Sequence, residues 1–138
     1  MSYYNRQNKS TKVVKKDIQP TESQIQQAVI QWCQSQEYKG RPLAYYVAHV
    51  PNGGNMSARA GNKLKKEGVQ KGYPDLLMDI PMGDYHGLRL ELKRLTGGIV
   101  SKEQKERIGV LLEEGYQAVV VRGYDETIEA IQEYLNLD

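Results

Sequence analysis

Two short segments on either side of Gly83, Pro74–Ile80 and Gly87–Leu95, limit what this chain can fold into more than any other stretch. Read as antiparallel strands turning at Gly83, they pair residues whose numbers sum to the same value. Leu76 then meets Leu90 and Met78 meets Leu88 on one face, while Asp75 meets Glu91 and Leu77 meets Arg89 on the other. Lys93 follows two residues after Glu91, on that same second face. A slip by one residue would turn every apolar side chain to the charged face, so the pattern fixes the register. Pro81-Met82-Gly83-Asp84-Tyr85-His86-Gly87 has the composition of a hairpin turn.

Facing Cβ atoms in such a pair are roughly 4.5–5.5 Å apart. Two carboxylates at that distance repel each other unless a cation lies between them. Asp75 and Glu91 are therefore candidate metal ligands, with Lys93 a candidate catalytic ammonium. Taken singly, an acid or a lysine on a strand is more often part of a solvated face. The combination of all three on one hairpin favours chemistry.

The rest of the chain predicts an α/β domain with a mixed sheet flanked by helices. Thr21 and Gln24 have the spacing of a capping box. Ile25, Ala28, Val29, Trp32 and Cys33 then recur with helical period. Glu22 falls at the start of that stripe, where it serves the helix dipole or reaches over the sheet toward the acids. Leu43–Val50 is expected to be a strand, ended by Pro51-Asn52-Gly53-Gly54. Residues 58–67 read as a short basic helix or helical loop closed by Gly68, with no Walker pattern to suggest a nucleotide cradle. Ser101 opens a helix whose apolar stripe is Ile108, Leu111 and Leu112. Tyr116–Val121 reads as a strand buried on both faces, and a last helix from about Asp125 buries Ile128, Ile131 and Leu135. The order is α-β-(α)-β-β-α-β-α.

At 138 residues the chain suits one domain. Residues 1–19, polar and without periodicity, read as a flexible basic tail, and 20–138 as the folded domain. No apolar run approaches the roughly 18 residues of a membrane span, and the polar N-terminus has no signal-peptide pattern. The single cysteine, Cys33, lies on the apolar stripe and reads as a buried structural thiol, so a cytoplasmic location is expected. Net charge is only +2, but it is unevenly spread. Bases crowd into 1–19 and into 51–72, where Arg59, Lys63, Lys65, Lys66 and Lys71 face a single acid, Glu67; acids dominate after Ser101. Such segments fit either nucleic-acid backbone contacts or solvated faces. His49 and His86 lack any metal-ligand spacing, and His49 reads as a half-buried residue near a strand end.

This ordered set resembles the PD-(D/E)XK nuclease superfamily, and within it the VRR-NUC family of virus-type replication and repair nucleases. The residues that carry the resemblance are Glu22, Asn52-Gly53-Gly54, Gly72-Tyr73-Pro74-Asp75-Leu76, Glu91-Leu92-Lys93, Ser101-x-x-Gln104 and the Val119-Val120-Val121-Arg122-Gly123 strand end. It covers about Thr21 to Leu137 and implies a restriction-endonuclease-like core in the order α-β-β-β-α-β with a C-terminal helix.

The resemblance implies an endodeoxyribonuclease that hydrolyses phosphodiesters with Mg²⁺, for which Mn²⁺ substitutes. Asp75, Glu91 and the Leu92 carbonyl would hold the ion. Glu22 would join through water or hold a second ion, and Lys93 would act on the attacking water and the phosphate. Gln104 either only caps its helix or also touches the site. Asn52 contacts phosphate or stabilises its turn. Lys63, Lys65, Lys66 and Lys71 contact phosphate or form a solvated face. The chain is similar to stand-alone phage members, which implies a homodimer acting in a host cell on branched DNA, as a Holliday-junction resolvase. The alternatives are a flap, nick or non-specific DNA nuclease, and an inert nucleic-acid-binding module.

Overall fold

The computed structural model describes residues 18–51 and 57–138. Asn52 and most of the N-terminal tail lie outside these. Helix α1, Glu22–Ser35, begins at the capping box, with Thr21 accepting from the Gln24 amide and Gln24 accepting from the Thr21 amide. Ile25, Val29 and Cys33 are its buried stripe. Full burial of a Val or Ile side chain stabilises by about 2 kcal/mol, which anchors this helix on the sheet. Burial also pushes the Cys33 thiol up to about 11, in keeping with an inert structural cysteine.

A ribbon follows that the sequence reading did not anticipate: β1, Glu37–Tyr38, pairs with β2, Arg41–Pro42. Lys39 and Gly40 both take positive φ, 48° and 79°, the backbone of a tight two-residue hairpin turn. The expected strand at Leu43–Val50 forms only in its second half. Leu43–Tyr46 is a turn of 3-10 helix, and β3 is Val47–His49. In a strand Leu43 and Tyr45 would share a face. Instead Leu43 is 1% exposed and Tyr45 69%, with Tyr45 beneath the Arg41 guanidinium.

Helix α2, Ala58–Lys66, is capped by Ser57 and buries no residue. The central hairpin then forms in the predicted register, with Leu76 opposite Leu90, Leu77 opposite Arg89 and Met78 opposite Leu88. Its regular strands are shorter than expected, β4 being Leu76–Met78 and β5 Leu88–Lys93. Met82 and Tyr85 exchange backbone hydrogen bonds across a turn in which Gly83 supplies a positive φ.

Helix α3, Lys102–Glu113, has its own capping box from Ser101 and Gln104. It leads to β6, Gln117–Arg122, which runs parallel to β5, and α4, Gly123–Leu135, ends the fold. The sheet order is β3-β4-β5-β6. Two expectations are corrected here. Among the described residues strand β6 is an edge strand with a single neighbour, so Val119 and Val120 are only half-buried rather than enclosed on both sides. Leu112 is 45% exposed, because α3 packs on that edge through Leu111. Leu88, Leu90 and Leu92 join Ile25, Val29, Ile131 and Tyr134 in one apolar cluster, which holds β5 at the centre of the molecule. Among the described residues, no helix is long and apolar enough to cross a membrane.

Candidate active site

Strand β5 buries all six of its residues, including Arg89, Glu91 and Lys93. Charged side chains are almost never so enclosed unless they are paired. Arg89 has a partial structural account: its guanidinium stacks on Tyr116 at 4.5 Å and lies 3.8 Å from Asp79, while its Nε is buried with no hydrogen-bond partner among the described residues. Glu91 and Lys93 have a different setting. Lys93 Nζ is 3.4 Å from Glu91 Oε1, and the same oxygen accepts from Gln104 Nε2 at 2.6 Å. Glu91 Oε2 is buried with no hydrogen-bond partner among the described residues. A carboxylate oxygen without a hydrogen bond, on a residue that is 1% exposed, costs stability unless something satisfies it.

Asp75 lies one residue before β4 and is buried as well. Its Oδ2 accepts the Leu92 N–H at 2.8 Å, which ties the end of one hairpin strand across to the other. Burial raises its pKa above the ordinary carboxylate value. The Leu92 hydrogen bond opposes this, the Glu22 charge adds to it, and Lys93 and His49 also oppose it. For Glu91, burial first and the Asp75 charge second push the carboxyl up to about 7, against the pull of Lys93. Glu91 thus holds its proton more tightly than a solvated carboxyl, with the neighbouring Asp75 charge as one cause.

Glu22 does not project into the core as its position on the α1 stripe suggested. It is exposed at the first turn, yet it still reaches the acids. With Ser23, Gln26, His49, Asp75 and Leu92 it lines a cavity of about 220 Å³. A Cβ built on Gly98 would come within 3.3 Å of Glu22 Oε1 and 3.4 Å of the Lys93 side chain, so Gly98 gives these two residues their room. The Arg122 guanidinium donates to the Gly98 carbonyl at 2.9 Å, and Gln19 bonds both the backbone and the side chain of Thr96. The loop after Lys93 is thus held from two sides.

Gln104 combines two geometries. Its Oε1 accepts the Ser101 N–H at 2.8 Å to close the capping box, and its Nε2 holds Glu91. The fold therefore brings together Glu22, Asp75, Glu91, Leu92, Lys93 and Gln104. It does not bring the basic residues to the acids. Lys63 pairs with Glu67 at 3.8 Å and Lys71 with Glu103 at 3.5 Å, all on the surface. Lys65 and Lys66 are exposed on α2. Sequence reasoning left His49 out of the site. The ring Nδ1 lies 2.8 Å from the Asp75 carbonyl oxygen. The missing signal was the β3–β4 register, which sets His49 opposite Leu76.

Hard oxygen donors beside a buried ammonium suit a divalent cation and an anionic substrate. The VRR-NUC domain family model matches residues 20–125. A solved structure described as a VRR_NUC domain protein is 43% identical and superposes with a TM-score of 0.77, over 88% of this chain and 93% of the other. Comparison with curated proteins finds no match.

Proposed function

The chain belongs to the VRR-NUC family of PD-(D/E)XK-type nuclease domains, and from that premise we propose a divalent-metal-dependent, structure-selective DNA endonuclease that resolves four-way junctions as a homodimer. The observation that carries the metal-dependent reading is Glu91 itself, a carboxylate 1% exposed whose Oε2 has no hydrogen-bond partner among the described residues. A cation bound by Asp75, Glu91 and the Leu92 carbonyl would satisfy that oxygen. Mg²⁺ fits this donor set, and Mn²⁺ would substitute.

When bound, the ion would polarise the phosphate and make its water more acidic. In the hydrolysis, water adds its oxygen to phosphorus and loses one proton to solvent. The ester P–O bond breaks, and the leaving oxygen takes up a proton from solvent. Lys93, held at Glu91, offsets the negative charge that grows on the phosphate. Gln104 keeps Glu91 Oε1 in place, which would leave Oε2 for the ion. Glu22 sits at the rim, where it assists through water or holds a second cation. Lys63, Lys65, Lys66 and Lys71 supply phosphate contacts away from the reacting centre, and Asn52 is a further candidate for that role. Two symmetry-related sites suit a junction that needs two matched cuts.

The test is an end-labelled four-way junction, run with duplex, flap and single-strand controls in Mg²⁺, Mn²⁺ or EDTA, beside Lys93→Ala. Paired cuts near the branch point that need both metal and Lys93 support the resolvase. Cutting of flaps or plain duplex keeps the nuclease and discards the resolvase. Binding without cutting, equal in EDTA, identifies an inert module.

A further inference from the structure

Hydrolysis at this site needs a group to hold the attacking water with a lone pair directed at phosphorus. With the carboxylates of Asp75 and Glu91 serving the cation and Glu22 exposed at the rim, Lys93 has only donors to offer. His49 supplies an acceptor. It closes β3, and its Nδ1 lies 2.8 Å from the Asp75 carbonyl oxygen, which also accepts the Val50 N–H at 2.9 Å. A carbonyl has no proton to give, so Nδ1 carries the hydrogen, and in that tautomer Nε2 is left as an acceptor. The Asp75 backbone thereby selects the tautomer of the ring beside it.

The same ring lines the 220 Å³ cavity with Glu22, Ser23, Gln26, Asp75 and Leu92, which has room for several waters. Glu22, Ser23 and Gln26 carry acceptors there too, but His49 is the residue whose other polar atom is held at the Asp75 backbone. We infer that His49 Nε2 accepts a hydrogen bond from the attacking water and orients it, which makes His49 a further catalytic residue. The inference rests on the nuclease reading. The ring directs the water and takes no proton from it.

His49→Asn separates this role from simple anchoring. Its amide N–H can replace Nδ1 at the Asp75 carbonyl, while nothing replaces Nε2. The expected result is a kcat lowered roughly 10- to 100-fold, with KM for DNA, Mn²⁺ affinity by calorimetry, and Tm all unchanged. Long-range ¹⁵N NMR of the metal-free protein gives a second readout, with His49→Asn identifying which of the two histidines each signal belongs to. The expected tautomer of His49 carries its proton on Nδ1. Full activity in His49→Asn overturns the inference, and so does a proton found on Nε2. A loss of activity that follows a fall in Tm or Mn²⁺ affinity also overturns it, by making His49 an anchor for Asp75. If the wild-type protein cuts no DNA in any metal, the nuclease reading fails and takes this inference with it. An active wild type with an equally active variant sinks the His49 role alone.

Discussion

Gln104 Nε2 donates to Glu91 Oε1 at 2.6 Å while Gln104 Oε1 accepts the Ser101 amide, so the residue that starts α3 also positions the buried acid. Gln104→Glu should separate the two tasks. The new carboxylate still accepts from Ser101 and keeps the capping box, but it cannot donate to Glu91 and brings a like charge to it. Cleavage should fall about 10- to 100-fold with the helix intact. Gln104→Ala should lose both, with a stability cost of about 1 kcal/mol from the cap. Thermal melts beside single-turnover cleavage check the pair; equal activity in Gln104→Glu and wild type would remove Gln104 from the site.

The raised pKa of Glu91 makes stability depend on pH in a defined direction. Its carboxyl titrates near 4.5 in an unfolded chain and at about 7 in the fold. Between those values the folded state binds more protons, so folding is favoured below 4.5 and that advantage is lost as pH rises through 7. At about 1.4 kcal/mol per unit, the shift is on the order of 3 kcal/mol. Metal-free protein should therefore melt at lower temperature at pH 8 than at pH 5. Mn²⁺ should reverse the trend, because it binds the ionised site. Glu91→Gln should flatten both effects, and a melting temperature that rises with pH in EDTA would contradict the assignment.

Much of this site was legible because it is local. Period-two parity set Leu76 against Leu90 and Met78 against Leu88, and both capping boxes follow from spacing three. The hydrogen bond of Gln104 to Glu91 needed the β5–α3 turn to fold back, which no periodicity encodes. His49 escaped for a related reason: its approach to Asp75 depends on pairing β3 with β4 across a separation of 26 residues. Leu43–Tyr46 misled because aromatic and apolar residues suit both a strand and a tight 3-10 turn. The half-burial of β6 follows from its place at the sheet edge, a property of topology that the run of valines does not carry.

Gly72 should prove intolerant of any side chain. Its φ is +82°, and a Cβ there would come within 2.8 Å of the Glu103 backbone, one residue from Gln104. Arg107 stacks on Tyr73 at 5.5 Å and bonds Gln70, so the same loop is clipped to α3 on both sides of the glycine. Gly72→Ala should destabilise by more than about 1 kcal/mol and separate Asp75 from the α3 face of the site. Its cleavage defect should exceed what the fraction unfolded explains, read by activity at a temperature well below the variant's melting point.

Helix α2 should bind DNA without shaping the reacting centre. It buries no residue, and Lys65 and Lys66 are exposed on it. Each lysine that neutralises a phosphate releases counterions, so the slope of log affinity against log salt should lessen by about 1 per contact removed. Lys65→Ala with Lys66→Ala should weaken binding to junction and duplex alike and flatten the salt dependence. Under single-turnover conditions with protein in excess over the weakened Kd, the cleavage rate should match wild type, because neither residue touches Asp75, Glu91 or Lys93. A slowed chemical step with an unchanged salt slope would instead assign these lysines to the active centre and leave the DNA path to another face.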